Sequence, residues 1–288
     1  GSNSLRENTT GGSNVALGGE TLRANTTASN NTAVGHNALN DNTTAGSNCA
    51  LGSNALQANT TGTNNCAVAS SLVTNTTGVN NTAVGNNALY YNLTGTDNNA
   101  FGLGSLQTCT TGYNNSAFGG GASYLAGALQ SLTTGYRNSG FGCGAAGSTT
   151  TGANNTAVGD ASLYSNSTGG DNVAVGQTTL LASTSASNNT GCGYQAGYAV
   201  TTGGSNTLIG KAAGYGVTTG GGHVLLGADS GITGSPGGNI TTANNIIVIG
   251  DENIGAAHVQ VDWSVASDQR DKTDFAALDL GLDFVKAL

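Results

Sequence analysis

The sequence predicts an all-β fold, a repetitive β-solenoid or β-roll rod, and three observations predict it. A Gly returns at a near-constant interval at the end of an Asn-Asn-x-Ala-Val-Gly phrase. Between successive anchors the apolar residues come in pairs, too short to make a helix. Glycine occupies 48 of 288 positions and would cost a helix about 1 kcal/mol each relative to Ala, with no helical apolar stripe to offset it.

The anchors are Gly1, Gly18, Gly35, Gly52, Gly85, Gly102, Gly119, Gly142, Gly159, Gly176, Gly193, Gly210, Gly227 and Gly250, with Ala69 standing in the Gly column. Most intervals are 17 residues; the one from Ala69 is 16, and those from Gly119 and Gly227 are 23. A fixed period of this size belongs to a quasi-one-dimensional array whose repeats stack on their neighbours. Without the period, so much Gly, Asn and Thr would read as a flexible segment.

The stretch Gly35 to Gly52 serves as a specimen. Its two apolar steps, Ala38-Leu39 and Ala50-Leu51, are bounded by Gly, Asn, Asp or Thr, so each reads as a short strand between turns. Stacking rungs about 4.8 Å apart puts equivalent residues in one line, for a rod of roughly 70 Å. The pairs Ala33/Val34, Ala50/Leu51, Ala83/Val84, Ala100/Phe101, Ala117/Phe118, Ala157/Val158 and Ala174/Val175 then form an apolar seam. Asn and Thr columns form hydrogen-bonded ladders at the corners.

Such rungs are poor in apolar mass. A handful of apolar side chains, several of them Ala, must offset a backbone ordering cost of about 1–2 kcal/mol per residue. A homotrimer that packs its seams on a common axis would supply the missing burial and protect the sheet edges; a monomeric solenoid with an internal seam is the alternative.

The array changes along its length. Leu holds the fourth place after early anchors (Leu5, Leu22, Leu39, Leu56, Leu89, Leu106), whereas Gly147, Gly197 and Gly214 replace or flank it later. Small residues there point to close backbone approach or a changed cross-section. The long intervals hold insertions near 120–132 and 228–240, expected as surface loops. The shaft spans 1–250, a neck follows at 251–266 with strand-like alternation from His258 to Trp263, and helix signals first appear around Asp279, Leu280, Phe284 and Leu288.

Ser267-Asp-Gln-Arg-Asp-Lys272, followed by Asp279-Leu-Gly-Leu-Asp-Phe-Val-Lys-Ala-Leu288, resembles the opening of the C-terminal intramolecular chaperone domain of phage tail fibres and tailspikes, the endosialidase-type self-cleaving family. The Asn-Asn-Thr-Ala-Val-Gly repeats are similar to those ahead of this domain in tail fibres, and more loosely to head repeats of trimeric bacterial adhesins. The resemblance implies a homotrimer whose chaperone domain (267–288 being its truncated start) drives assembly and is then cleaved off between Ser267 and Asp268. Ser267 and Lys272 match the cleavage residues, a hydroxyl and the base that could activate it. Because the chain opens on an anchor and stops at Leu288, it reads as an internal segment of a longer fibre protein.

The remaining chemistry is sparse. The net charge of −8, with seven Lys and Arg, argues against nucleic acid, and no apolar run has the length to insert in a membrane. Cys49, Cys66, Cys109, Cys143 and Cys192 contain no CxxC pair; Cys49 and Cys66, one period apart, would come within disulfide range if their rungs are adjacent, though buried thiols are the expectation. His36, His223 and His258 are isolated and offer no metal-ligand set. The sequons at Asn8, Asn25, Asn42, Asn59 and Asn75 follow the repeat and are expected to be ladder residues. The pieces Gly140-Phe-Gly-Cys-Gly and Gly191-Cys-Gly lack a dinucleotide site's acidic partner and read as corner glycines.

No cofactor is expected, and no enzyme apart from single-turnover self-cleavage. A hexapeptide-type acyltransferase would need a period divisible by six, and glycan hydrolysis would need paired carboxylates. The expected role is therefore a structural phage tail fibre shaft on the virion, extracellular, contributing to attachment to a host surface glycan or protein. The alternative is a segment of a trimeric adhesin on a bacterial surface.

Overall fold

In the computed structural model residues 1–121 and 125–256 are described. They form fourteen three-residue strands, from β1 (Val15–Leu17) to β14 (Ile247–Ile249), and no helix. All strands lie parallel in one sheet whose spatial order is the chain order. The fold is a parallel β-solenoid with one strand per period. Registers match residue to residue: Ala33 faces Ala50, Ala50 faces Ala67, and Phe101 faces Phe118. The solenoid spans Gly1–Asn253. The expected helical start around 279–288 lies outside the described residues, as do His258, Trp263 and the 267–288 segment.

Rung-to-rung backbone bonding continues beyond the sheet. Leu39 N donates to Ala55 O (3.0 Å), Asp41 N to Gln57 O (3.0 Å) and Thr43 N to Thr60 O (3.2 Å), while Gly52 N donates back to Val34 O (2.7 Å). Few main-chain groups are left for water, which suits a chain with little apolar mass.

Only one of the two apolar steps is a strand. Cys49–Leu51 is β3, but Ala38 and Leu39 sit in a tight turn, with Leu39 at φ 51°. The same left-handed backbone recurs at Leu22, Leu56, Leu72, Leu89 and Leu106. This conformation costs a branched residue roughly 1–2 kcal/mol, and it is held because Ala38 and Leu39 thereby both point inward and are fully buried. Burying one Leu offsets that cost, at about 1.5–3 kcal/mol.

The core is thus a wall of Leu facing the strand-centre Ala column, Ala33 to Ala174. The two columns are reciprocal in size. Opposite Leu129 and Leu180 the strand centre shrinks to Gly140 and Gly191, and a Cβ on either would lie 3.2 Å from the Leu Cγ. Opposite Gly197 and Gly214 it grows to Leu208 and Leu225; a Cβ at Gly197 would come within 2.6 Å of Leu208 and 2.7 Å of Leu180. At Gly197 and Gly214 the expected change of cross-section is therefore a transfer of one Leu across the core, whereas the rung of Ala146 and Ala157 carries Leu on neither side. Gly140 and Gly191 correct the expectation of corner glycines, since both are strand centres.

The anchor glycines are corners. Gly18 has φ 143°, and a Cβ there would sit 2.6 Å from Gly35 O of the next rung. Ala69 escapes this by adopting φ 70°, the adjustment that accompanies the one-residue deletion in its interval. The two insertions leave the rung at different corners. The first departs after Gly119 and rejoins where Ala128 N donates to Gly119 O (2.9 Å); the second is pinched where Ile240 N donates to Gly231 O (3.0 Å).

Candidate functional site: the outward face of the sheet

A three-residue strand has one side chain inside and two outside. In this chain the centre is inside. Ala33, Ala50, Ala83, Ala100, Ala117, Ala157 and Ala174 are fully buried, while their neighbours Leu51, Phe118, Val158 and Val175 are exposed. The expected Ala/Val seam is therefore split: Ala belongs to the solenoid's own core, and the Val, Leu and Phe column faces outward. A rung this thin admits only a methyl on the sheet side when Leu fills it from the opposite wall.

The outward column runs the length of the rod, with Leu17, Leu51, Phe118, Phe141, Val158, Val175, Ile209 and Ile249 between 36% and 65% exposed. At mid-length it becomes aromatic. Phe101 stacks on Phe118 at 4.7 Å and Phe118 on Phe141 at 4.9 Å, with planes within 7° of parallel. Beside it runs a column of small side chains at the first strand place, including Thr32, Cys49, Cys66, Thr82, Ser116, Ser139 and Thr156. No strand carries a charged residue.

Two Asn columns line the rungs, one at the strand entry and one at a corner of the early rungs. The strand-entry column, Asn14 to Asn206, is a continuous ladder. Each Oδ1 accepts the backbone N–H of the next Asn, as Asn48 N to Asn31 Oδ1 at 3.0 Å, and each Nδ2 donates to a carbonyl one rung on, as Asn31 to Ala45 O at 3.0 Å. The corner column, Asn8 to Asn92, links Nδ2 to the preceding Oδ1, as Asn59 to Asn42 at 3.0 Å. These corner residues are the sequon asparagines, and from Asn25 to Asn75 they are fully buried with Nδ2 already bonded. A Thr column adds its own ladder, with Thr43 Oγ1 donating to Thr60 O and Thr60 Oγ1 to Thr76 O.

Cysteines depart from expectation. Only Cys109 is buried; Cys49, Cys66 and Cys143 are half-buried and Cys192 is exposed, all as free thiols. Burial pushes the Cys109 thiol up to about 12. Among the described residues no group of three or more His, Cys, Asp or Glu side chains converges, and no helix is long and apolar enough to cross a membrane. His223 is buried in the strand-entry column, where its Nδ1 accepts the Ile246 N–H at 3.2 Å. The sequence reading missed this substitution of His for Asn, although the column position signals it. It also missed the stacked Tyr113–Tyr136 pair (5.0 Å), with Arg137 over the second ring. Ser267, Asp268 and Lys272 lie outside the described residues. No protein-family model, curated protein or solved structure matches the chain.

Proposed function

We propose that the chain is a shaft segment of a homotrimeric fibre, of the phage tail-fibre kind, which extends outward from a virion and contributes to host-surface attachment. One observation carries the reading: the uninterrupted, uncharged apolar column on the outward face. Its occupant is two further copies of the same chain. A partner that covers it must present apolar groups at the rung spacing over the whole rod, and a second copy does so by construction. The absence of charge lets three copies of net charge −8 meet there without juxtaposing like charges. Exposed apolar area on this scale is unusual on a free monomer.

Host contact, to a surface glycan or protein, falls to the two insertion loops, which interrupt an otherwise regular surface. Cleavage between Ser267 and Asp268, with Ser267 and Lys272 as the reacting pair, belongs to the same reading and rests on the sequence phrase. Light scattering coupled to size exclusion tests the assembly. Three chain masses are expected for the native chain, and a monomeric mass would remove the reading.

A further inference from the structure

Cys49 and Cys66 are register partners at the first place of β3 (Cys49–Leu51) and β4 (Cys66–Val68). Parallel neighbours hold their Cα atoms about 4.8 Å apart, inside the range a disulfide spans. Both thiols are half-buried on the outward face, and neither is bonded to another sulfur. The thiols also sense each other: burial raises the Cys66 pKa, and the adjacent Cys49 raises it further. Elsewhere this column carries Thr, Ser, Asn or an aliphatic residue, so two Cys in consecutive rungs break its pattern. The place matters as well. Directly after β4 comes the 16-residue interval, opened by Ala69 at φ 70° where other rungs have Gly.

We propose that Cys49 and Cys66 form a redox clasp, a dithiol that a small-molecule disulfide such as oxidised glutathione converts to an intrachain disulfide between successive rungs. The Cys49 thiolate attacks one glutathione sulfur and expels glutathione thiolate. Cys66, deprotonated, then attacks the Cys49 sulfur of the mixed disulfide and expels the second glutathione. One glutathione disulfide is reduced to two thiols as the cysteine pair is oxidised, and the two cysteine protons pass to the departing thiolates. Stacked Cβ atoms lie somewhat further apart than a relaxed disulfide prefers, so closure draws the rungs together. Such a bond is labile and reopens under thiol reductant. Its effect is to lock the register of two rungs of ordinary 17-residue spacing directly ahead of the shortened interval that joins β4 to the next strand.

The test uses the purified chain in glutathione buffers from reducing to oxidising, followed by alkylation, non-reducing peptide mapping and thermal melting. The expected result is a Cys49–Cys66 crosslinked peptide. It is accompanied by a rise of the melting midpoint of about 3–5 degrees that dithiothreitol reverses. C49S and C66S fold normally, since Ser116 and Ser139 occupy the same column, and each abolishes the shift. Full alkylation of both thiols in the oxidising buffers would overturn the clasp. So would a crosslink between two chains, seen as a dimer band on a non-reducing gel. The trimer reading is scored separately by mass, which C49S and C66S leave unchanged.

Discussion

The first six rungs and the last four close the same corner with opposite chemistry. Asn8, Asn25, Asn42, Asn59, Asn75 and Asn92 occupy it early; Ser183, Val200, Val217 and Ile240 occupy it late, after a transition through Cys109, Leu132, Thr149 and a single returning Asn166. The strand-entry Asn column, by contrast, persists through Asn206 in both regions. The difference lies in what else could serve each backbone group. The carbonyl of Gly95 receives two donors, Nδ2 of Asn92 at 3.1 Å and Nδ2 of Asn81 at 2.8 Å. Losing the corner Asn still leaves it one. The backbone N–H of Asn98 has only the Oδ1 of Asn81 (3.1 Å). A redundant hydrogen bond can be exchanged for apolar burial, and a sole one cannot, because an orphaned buried N–H carries its full desolvation penalty.

The largest expected effect tests the companion difference in the core, where late rungs carry Leu on the sheet side and early rungs on the turn side. Leu208→Ala should destabilise by about 2–5 kcal/mol, the range for emptying a packed Leu site. Adding Gly197→Leu to it should recover most of that loss. Gly197 already has φ 62°, close to the 51° of Leu180, so a Leu there meets the backbone its relatives use. Gly197→Leu alone should unfold the rung through its clashes with Leu208 and Leu180, of which only the one with the movable end of the Leu180 side chain persists in the double variant. Denaturant midpoints of the three variants measure this, and a double mutant no better than Leu208→Ala would show that the columns are not reciprocal.

Next in size is the Asn comparison itself. Asn81→Val should cost about 1–3 kcal/mol through the unpaired Asn98 N–H. Asn92→Val should cost less than about 1 kcal/mol, because it removes the last member of its ladder and introduces the residue found at Val200 and Val217. Equal losses in urea melts would mean that the corner bonds are not redundant.

Much of this was legible in the sequence. The period fixed the rung, Gly and Asn marked the corners, and the sequons could be read as ladders because they recur with the fold. Two things were not. Nothing in Ala50-Leu51 says which residue faces inward, since a three-residue strand has no second alternation to break the tie; the opposing Leu39 decides it. Nor does Leu39 announce a left-handed backbone, which local preference assigns to Gly or Asn and which only burial in the finished rung stabilises. The residues proposed for cleavage were legible as a phrase alone.

That orientation yields a third prediction. Val158→Asp places a carboxylate on the outward face, where it should leave the melting of the individual solenoid within about 0.5 kcal/mol. It should abolish trimer assembly, because a buried interfacial charge is costly and symmetry repeats it in every copy. Ala157→Asp, one residue away but inside, should prevent folding altogether. Light scattering and circular dichroism on the pair separate the two faces. A Val158→Asp chain that still assembles would place the interface elsewhere.

The smallest effect is confined to the last step of the Asn ladder. His223 occupies an Asn place, its N–H donating to Asn206 Oδ1 (3.0 Å) and its Nδ1 accepting from Ile246 N. Burial holds its pKa below the usual value of 6.5, against the opposing pull of the backbone at Ala243 and Ile246. The unfolded chain then binds the proton more readily than the folded one, so stability is fully present above about pH 6.5 and falls as pH drops toward the lowered folded value. Protonating Nδ1 also removes the only acceptor for the Ile246 N–H. Amide exchange protection at Val224–Leu226 and Ile247–Ile249 should therefore decline as the pH falls below about 6.5, with no change at β9 (Thr156–Val158). His223→Asn should flatten the profile, since an Asn Oδ1 accepts the same bond at every pH. A decline that persists in His223→Asn would assign the acid sensitivity to another group.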